Sequence, residues 1–239
     1  MRNTLLFSVF LLFCLTAKAQ ALPALVPEDH FKSAWSSDMF DKFDWQKFFN
    51  YPPVNQEVDL KNIDYNLLNA AIFFVTNYHR EKSNLSPLKY DEKLDAAASE
   101  HARDMVVHSF FSHESPVDGK KTIADRVKLA GLSKFLSLAE NIAQNFAFDY
   151  AAGRGFFGGY NSAGVPDFKY SNGEKIKIHT YLSLAKTLLS QWLKSPGHRT
   201  NILDRQMTHL GTGAIFQKRE NNDSFEKVFA VQAFAKLKE

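Results

Sequence analysis

The stretch that decides the reading is Gln191-Trp192-Leu193-Lys194-Ser195-Pro196-Gly197-His198-Arg199-Thr200-Asn201-Ile202-Leu203. Upstream, Tyr181, Leu184, Ala185, Leu188, Leu189 and Trp192 recur at helical spacing, which predicts an amphipathic helix over 180–194. Ser195-Pro196-Gly197 ends it, because proline has no N–H and disfavours a helical residue before it. The same residues open a second helix, with Ser195 as N-cap and Pro196 in the first position. His198 then lies in the first turn, presented by a short, stiff corner. A corner of this kind is a place to build a site, and the rest of the chain is read for its partners.

The chain has 239 residues, 45% of them hydrophobic, enough for one sizeable core. Residues 1–19 read as a signal peptide: Arg2, an apolar run over 5–15, and Ala17-Lys18-Ala19 before Gln20. The run is too short to span a bilayer. The single cysteine, Cys14, lies inside it, and Phe13 before it differs from the small residue of a lipidation site. The expected mature chain therefore carries no disulfide, thiolate ligand or cysteine nucleophile. Without Arg2 and Lys18, 27 basic residues face 26 acidic ones, and nothing points to nucleic acid. No later stretch is long and apolar enough to cross a membrane. The predicted location is outside the cytoplasm, secreted or periplasmic.

Residues 20–63 form an aromatic lead-in with Phe31, Trp35, Met39, Phe40, Phe43, Trp45, Phe48 and Phe49, and two short helices are expected over 29–40 and 41–50. As an arm it would meet a partner or a membrane surface. Packing on the domain is preferred, since these side chains left in water would aggregate. The main domain spans 64–239. A helical stripe runs from Leu67 to Arg80, and Asp91 caps a second helix carrying Leu94, Ala97, Ala98, His101, Ala102, Met105 and Val106. A loop over 110–119 and a short helix over 122–129 follow. Residues 136–144 are a strand or an extended buried segment. Residues 147–179, rich in glycine and aromatics, are a long loop or a hairpin, and an insert of this length suits a binding loop. Two strands over 210–216 and 227–235 pair as a hairpin through the polar turn 218–224, the second covered on both faces. Helices on both sides of a small, largely antiparallel sheet give an α/β fold, a three-layer α-β-α sandwich.

Three segments carry the chemistry: Phe110-Phe111-Ser112-His113-Glu114-Ser115-Pro116, Ala139-Glu140-Asn141-Ile142-Ala143, and Ser195 to Ile202. With Asn77-Tyr78-His79-Arg80, Leu85-Ser86-Pro87-Leu88 and the closing Gln232-Ala233-Phe234-Ala235, this order resembles the CAP superfamily of cysteine-rich secretory, antigen-five and pathogenesis-related proteins. It is most similar to the bacterial SCP-like branch, which lacks the disulfides. The resemblance covers about 66–236. It implies a cleft lined by His113, Glu140 and His198. The position of a second acid in eukaryotic members falls near Ser195, so that acid is missing here.

From the residues alone, a carboxylate beside two imidazoles raises their pKa and lowers its own. Two neutral imidazoles are also zinc ligands, with Glu140 and water completing a set. The resemblance makes zinc at His113 and His198 one option. Each residue also has a plainer use. His113 can bond a loop carbonyl, Glu140 can anchor its own loop, and His198 can stand in solvent. His101 lies on an apolar stripe as a core histidine, Arg126 pairs with a loop carbonyl or acid, and Ser195 is a cap rather than a nucleophile. There is no His-Glu-x-x-His, Gly-x-Ser-x-Gly or phosphate-loop motif. The expected function is a non-enzymatic domain binding a small ligand, a divalent metal or a surface partner, with sterol and fatty-acid binding among the resemblance's implications. The alternative is a metal-dependent hydrolase with Glu140 as general base.

Overall fold

The structure, a computed structural model, describes residues 33–218 and 225–238. The predicted leader and the turn 219–224 lie outside the described residues, as does the first part of the helix expected over 29–40. The helices are α1 (Trp45–Phe49), α2 (Tyr65–Lys82), α3 (Glu92–Val107), α4 (Ile123–Leu129), α5 (Tyr181–Lys194) and α6 (Pro196–Leu203). The strands are β1 (Lys89–Tyr90), β2 (Phe135–Phe146), β3 (Phe156–Tyr160), β4 (Pro166–Tyr170), β5 (His209–Gln217) and β6 (Lys227–Leu237). Short polar side chains start the long helices: Asp64, Asp91 and Thr180 each accept a first-turn N–H, and Thr122 forms a reciprocal capping box with Asp125.

The main sheet runs β1-β5-β6-β2. β5 with β6 and β6 with β2 are antiparallel, and only the two-residue β1 runs parallel, to β5. The predicted hairpin partners and the centrally placed last strand are both present. Period two splits β6 between two cores: Val228, Ala230 and Phe234 pack with α2 and α5, whereas Phe229, Val231, Ala233 and Ala235 pack with α3 and α4. This is the α-β-α sandwich. Helix α3 lies directly on β5, because a Cβ at Gly211 would sit 2.0 Å from the Asp95 amide nitrogen and one at Gly213 would sit 2.2 Å from that of Ser99.

The described part of the lead-in, residues 33–63, packs on the domain. Trp35 and Phe48 are buried, and Trp35 meets Phe40, Phe43, Phe48 and Phe74 edge-on. Each such ring removed from water contributes about 2–3 kcal/mol. Among the described residues the first expected helix shows a single 3-10 turn at Ser37–Met39, and the second is α1, shorter than expected and started by Asp44 rather than Asp41. The Asp44 carboxylate accepts the Lys47 N–H, a local bond that periodicity does not reveal.

The insert over 147–179 contains the hairpin β3–β4, which forms its own two-stranded sheet. Phe148, Phe168, Tyr170 and Ile176 are buried, and Phe225 ahead of β6 lies among the rings of Phe146, Phe148, Tyr150, Phe156 and Phe168. The two ends of the insert and one face of β4 are therefore core, and the stretch between them is largely exposed.

Candidate functional site

β2 is an edge strand of the main sheet, paired on one side to β6 only. Successive side chains on a strand point to opposite faces, and Glu140 and Asn141 use both. Glu140 points toward α3 and α4. Its Oε1 accepts from His113 Nδ1 at 2.9 Å, and its Oε2 accepts from Arg126 Nη2 at 2.5 Å. Asn141 points toward α2 and α6. Its amide donates to the His198 carbonyl at 3.1 Å and to Gln232 Oε1 at 2.9 Å, while its oxygen accepts from Asn201 at 2.9 Å. Gln232 passes the chain on to Thr76 Oγ1 at 2.7 Å, which donates to the Ile72 carbonyl. One residue thus fixes the His113 loop from one face, and its neighbour fixes the His198 helix from the other. The two imidazoles stand with ring centres 6.1 Å apart.

The His113 loop is held by Arg126, which is buried and donates to the carbonyls of Lys120 (3.0 Å), Lys121 (3.2 Å) and His113 (3.3 Å) as well as to Glu140. Lys120 ties the same loop to α3 through Glu100 at 2.6 Å and Asp104 at 3.0 Å. His101 is fully buried, and its Nε2–H donates to the Ser112 carbonyl at 3.0 Å, 3.8 Å from Glu140 Oε1. Arg126 and His101 thus take the supporting positions read from the sequence.

Burial pushes the Glu140 carboxyl upward, but the His113 hydrogen bond and the Arg126 guanidinium outweigh it and hold the group below the ordinary glutamate range. Glu140 is a buried carboxylate that stays ionised. Burial lowers His101, partly opposed by Glu140, so its ring is neutral near neutral pH. Burial and then the nearby His113 lower His198. An ionised acceptor at Nδ1 assigns a His113 proton there and leaves Nε2 as the ring nitrogen without a partner among the described residues. His113 is about half exposed, with its side chain 52% accessible, whereas Glu140 is 6% accessible. The site is therefore an open pair of imidazoles over a closed anionic floor.

Ser195 caps α6 by position, its carbonyl accepting the Arg199 N–H at 2.9 Å, but its hydroxyl makes no capping bond. Pro196 occupies the first turn and His198 follows in it, as the corner reading requires. Asn141 and Asn201 stand inside the quoted motifs, yet no role was read for either. Their signal is an asparagine directly after Glu140 and another three residues after His198. Gln232 and Thr76 carry no local signal at all.

The model of the cysteine-rich secretory protein family, CAP, matches residues 73–234. The chain belongs to the CAP family. Uncharacterized protein YkwD of Bacillus subtilis is 28% identical to this CAP domain over 141 residues, 59% of this chain and 40% of that protein. The uncharacterized membrane protein YlbC of the same species is 29% identical over 142 residues, 59% of this chain and 30% of that one. The chain thus spans well under half the length of these curated relatives. An extracellular SCP-domain protein of Bacillus anthracis superposes with a TM-score of 0.47 at 26% identity, over 72% of this chain and 41% of that one. An outer surface protein of Borrelia burgdorferi gives 0.46 at 16% identity, over 77% and 99%. No described helix of the CAP domain is long and apolar enough to cross a membrane.

The residues fit a three-ligand zinc site poorly. Both oxygens of Glu140 are engaged, one by a guanidinium that repels a cation, and no group of three His, Cys, Asp or Glu stands close enough to hold a metal among the described residues. A metal here would have only the two imidazoles as protein ligands, with Glu140 orienting His113 through its Nδ1–H. The insert leaves β2 at Ala147, seven residues beyond Glu140 and so about 20 Å along the strand.

Proposed function

We propose that this CAP domain is an extracellular, non-enzymatic binding domain that takes its ligand between His113 and His198. One observation carries the reading: Glu140 and Asn141 anchor the two histidine-bearing segments from opposite faces of one strand and leave both imidazoles open. The free nitrogens suit a divalent cation held weakly or a ligand with polar acceptors and donors. The test is calorimetric titration of zinc into residues 20–239, wild type against His113→Ala and His198→Ala. Saturable binding that both variants lose supports a shared site. If the folded wild type binds no zinc, the cation is removed, and a fatty acid or sterol titrated against the two imidazole resonances decides the rest.

A second reading, hydrolysis, has one observation in its favour. An imidazole oriented by an ionised carboxylate at Nδ1 is the arrangement of a general base. Glu140 is then the orienting group and not the base, because both its oxygens are occupied. Any hydrolytic activity should fall at least a hundredfold in His113→Ala. Activity unchanged in that variant removes the reading.

A further inference from the structure

We infer that the ligand of this cleft is an extended peptide, which adds as a strand to the outer edge of β2; this deepens the binding reading above and rests on it. In an antiparallel ladder the N–H and C=O of one residue point to the same side, and the side alternates along the strand. Three bonds fix the phase here. The Glu140 carbonyl accepts from the Asn201 side chain at 3.2 Å, and the Gln144 carbonyl accepts from Gln191 at 3.4 Å, so the even-numbered residues face away from β6. The Ala147 N–H, continuing the strand, donates to the Glu226 carbonyl on the other side at 2.9 Å. Leu138 and Ile142 share the parity of Glu140 and Gln144. Their N–H and C=O groups therefore face outward, as does the Glu140 N–H, and none of these finds a partner among the described residues.

Two side-chain amides, Asn201 and Gln191, meet outward carbonyls as the N–H groups of a neighbouring strand would. Beyond Asn201, from Glu140 back toward Leu136, a residue 58% exposed, no described segment pairs with the edge. Buried sheets satisfy their edges, and exposed edges are usually shortened, bulged or charged. On β2 the inward-pointing charge of Glu140 and the register shift between Phe135 and Ser137 are such devices, and between them the Leu138 N–H and C=O stay unpaired among the described residues. Unpaired donors and acceptors at strand spacing are met best by an extended backbone, which supplies both alternately. A lipid tail offers no partner for them. A peptide paired with Leu138 and the Glu140 N–H leads directly to the His113–Glu140 bond, so its end reaches the imidazoles.

The test is amide-resonance mapping on the full mature chain, using a random hexapeptide mixture acetylated and amidated at its ends, beside the same mixture N-methylated at alternate residues. Saturable shifts at Leu138 and Glu140 with the first mixture, weakened at least tenfold with the second, support strand addition. Equal response to both mixtures, shifts elsewhere, or no shift overturns it. Leu138→Pro is the second arm. Proline there removes an outward N–H and no bond to β6, and should weaken binding at least tenfold while zinc titration at His113 and His198 stays as in wild type. A peptide response that is absent while both imidazoles still bind zinc sinks the peptide and leaves the cleft reading standing. Loss of both sinks the cleft reading as well.

Discussion

Glu140 shows how burial and charge are balanced at one residue. Its carboxylate has a buried guanidinium on one oxygen and an imidazole on the other. Glu140→Gln leaves Arg126 with an uncompensated buried charge, which costs about 3 kcal/mol, to be read by urea unfolding at pH 7. Because the folded pKa lies below the unfolded one, this contribution is present above the ordinary glutamate value of 4.5 and is lost as pH falls through the folded value. Wild-type stability should therefore fall on acidification below about pH 4.5, and Glu140→Gln should narrow the gap to wild type there. Asp95 carries the opposite sign. Its carboxyl, half-buried between α3 and β5, is pushed up to about 7 by burial, only partly offset by the Thr212 N–H that it accepts at 3.2 Å. Its stability contribution is present below pH 3.8 and is lost as pH rises toward 7. Asp95→Asn, which keeps the acceptor, should be more stable than wild type by at least ~1 kcal/mol at pH 8, with the difference gone at pH 4. Thermal melts at the two pH values check it.

At the scale of elements, adjacent residues on β2 act on different helices. Asn141→Ala removes a buried amide with three partners and strands the groups that it satisfied, at about 2–3 kcal/mol. The imidazole resonances of His198 should shift in that variant while those of His113 hold, and Glu140→Gln should do the reverse. Equal movement of both rings in both variants would show that the two segments are not anchored separately. The contact of α3 with β5 is as strict. Gly213→Ala places a methyl carbon 2.2 Å from the Ser99 amide nitrogen and 2.4 Å from the Ala98 carbonyl carbon, so the helix must lift off the sheet. Overpacking of backbone against backbone should cost about 3 kcal/mol or more, measured as a drop in the urea midpoint with unchanged slope. The strand over 210–216 was legible from sequence, but which helix its glycines receive was not, because no local pattern names a partner that lies more than a hundred residues earlier.

On the scale of the whole molecule, the aromatic insert and the cleft are separate. Phe225 binds the insert's rings to the end of β6, so Phe225→Ala should cost about 3–4 kcal/mol and leave zinc or peptide response at the cleft unchanged. The expectation that the insert tunes the site meets the distance along β2 and the burial of Phe168, Tyr170 and Ile176. Sequence by itself determined the family order of motifs, the long helices with the Asp91 cap, the alternation that buries both faces of β6, and the corner that carries His198, since these follow from residue spacing and local bonding. Only the tertiary structure decided that Glu140 is held by Arg126 and not free for a metal, that Asn141, Asn201, Gln232 and Thr76 form one hydrogen-bonded chain, and that Leu138 on the outer row of β2 has no backbone partner on that side among the described residues. Each of these depends on which segments meet across long loops, and the partners of a buried polar group are chosen by packing, which is a property of the whole chain.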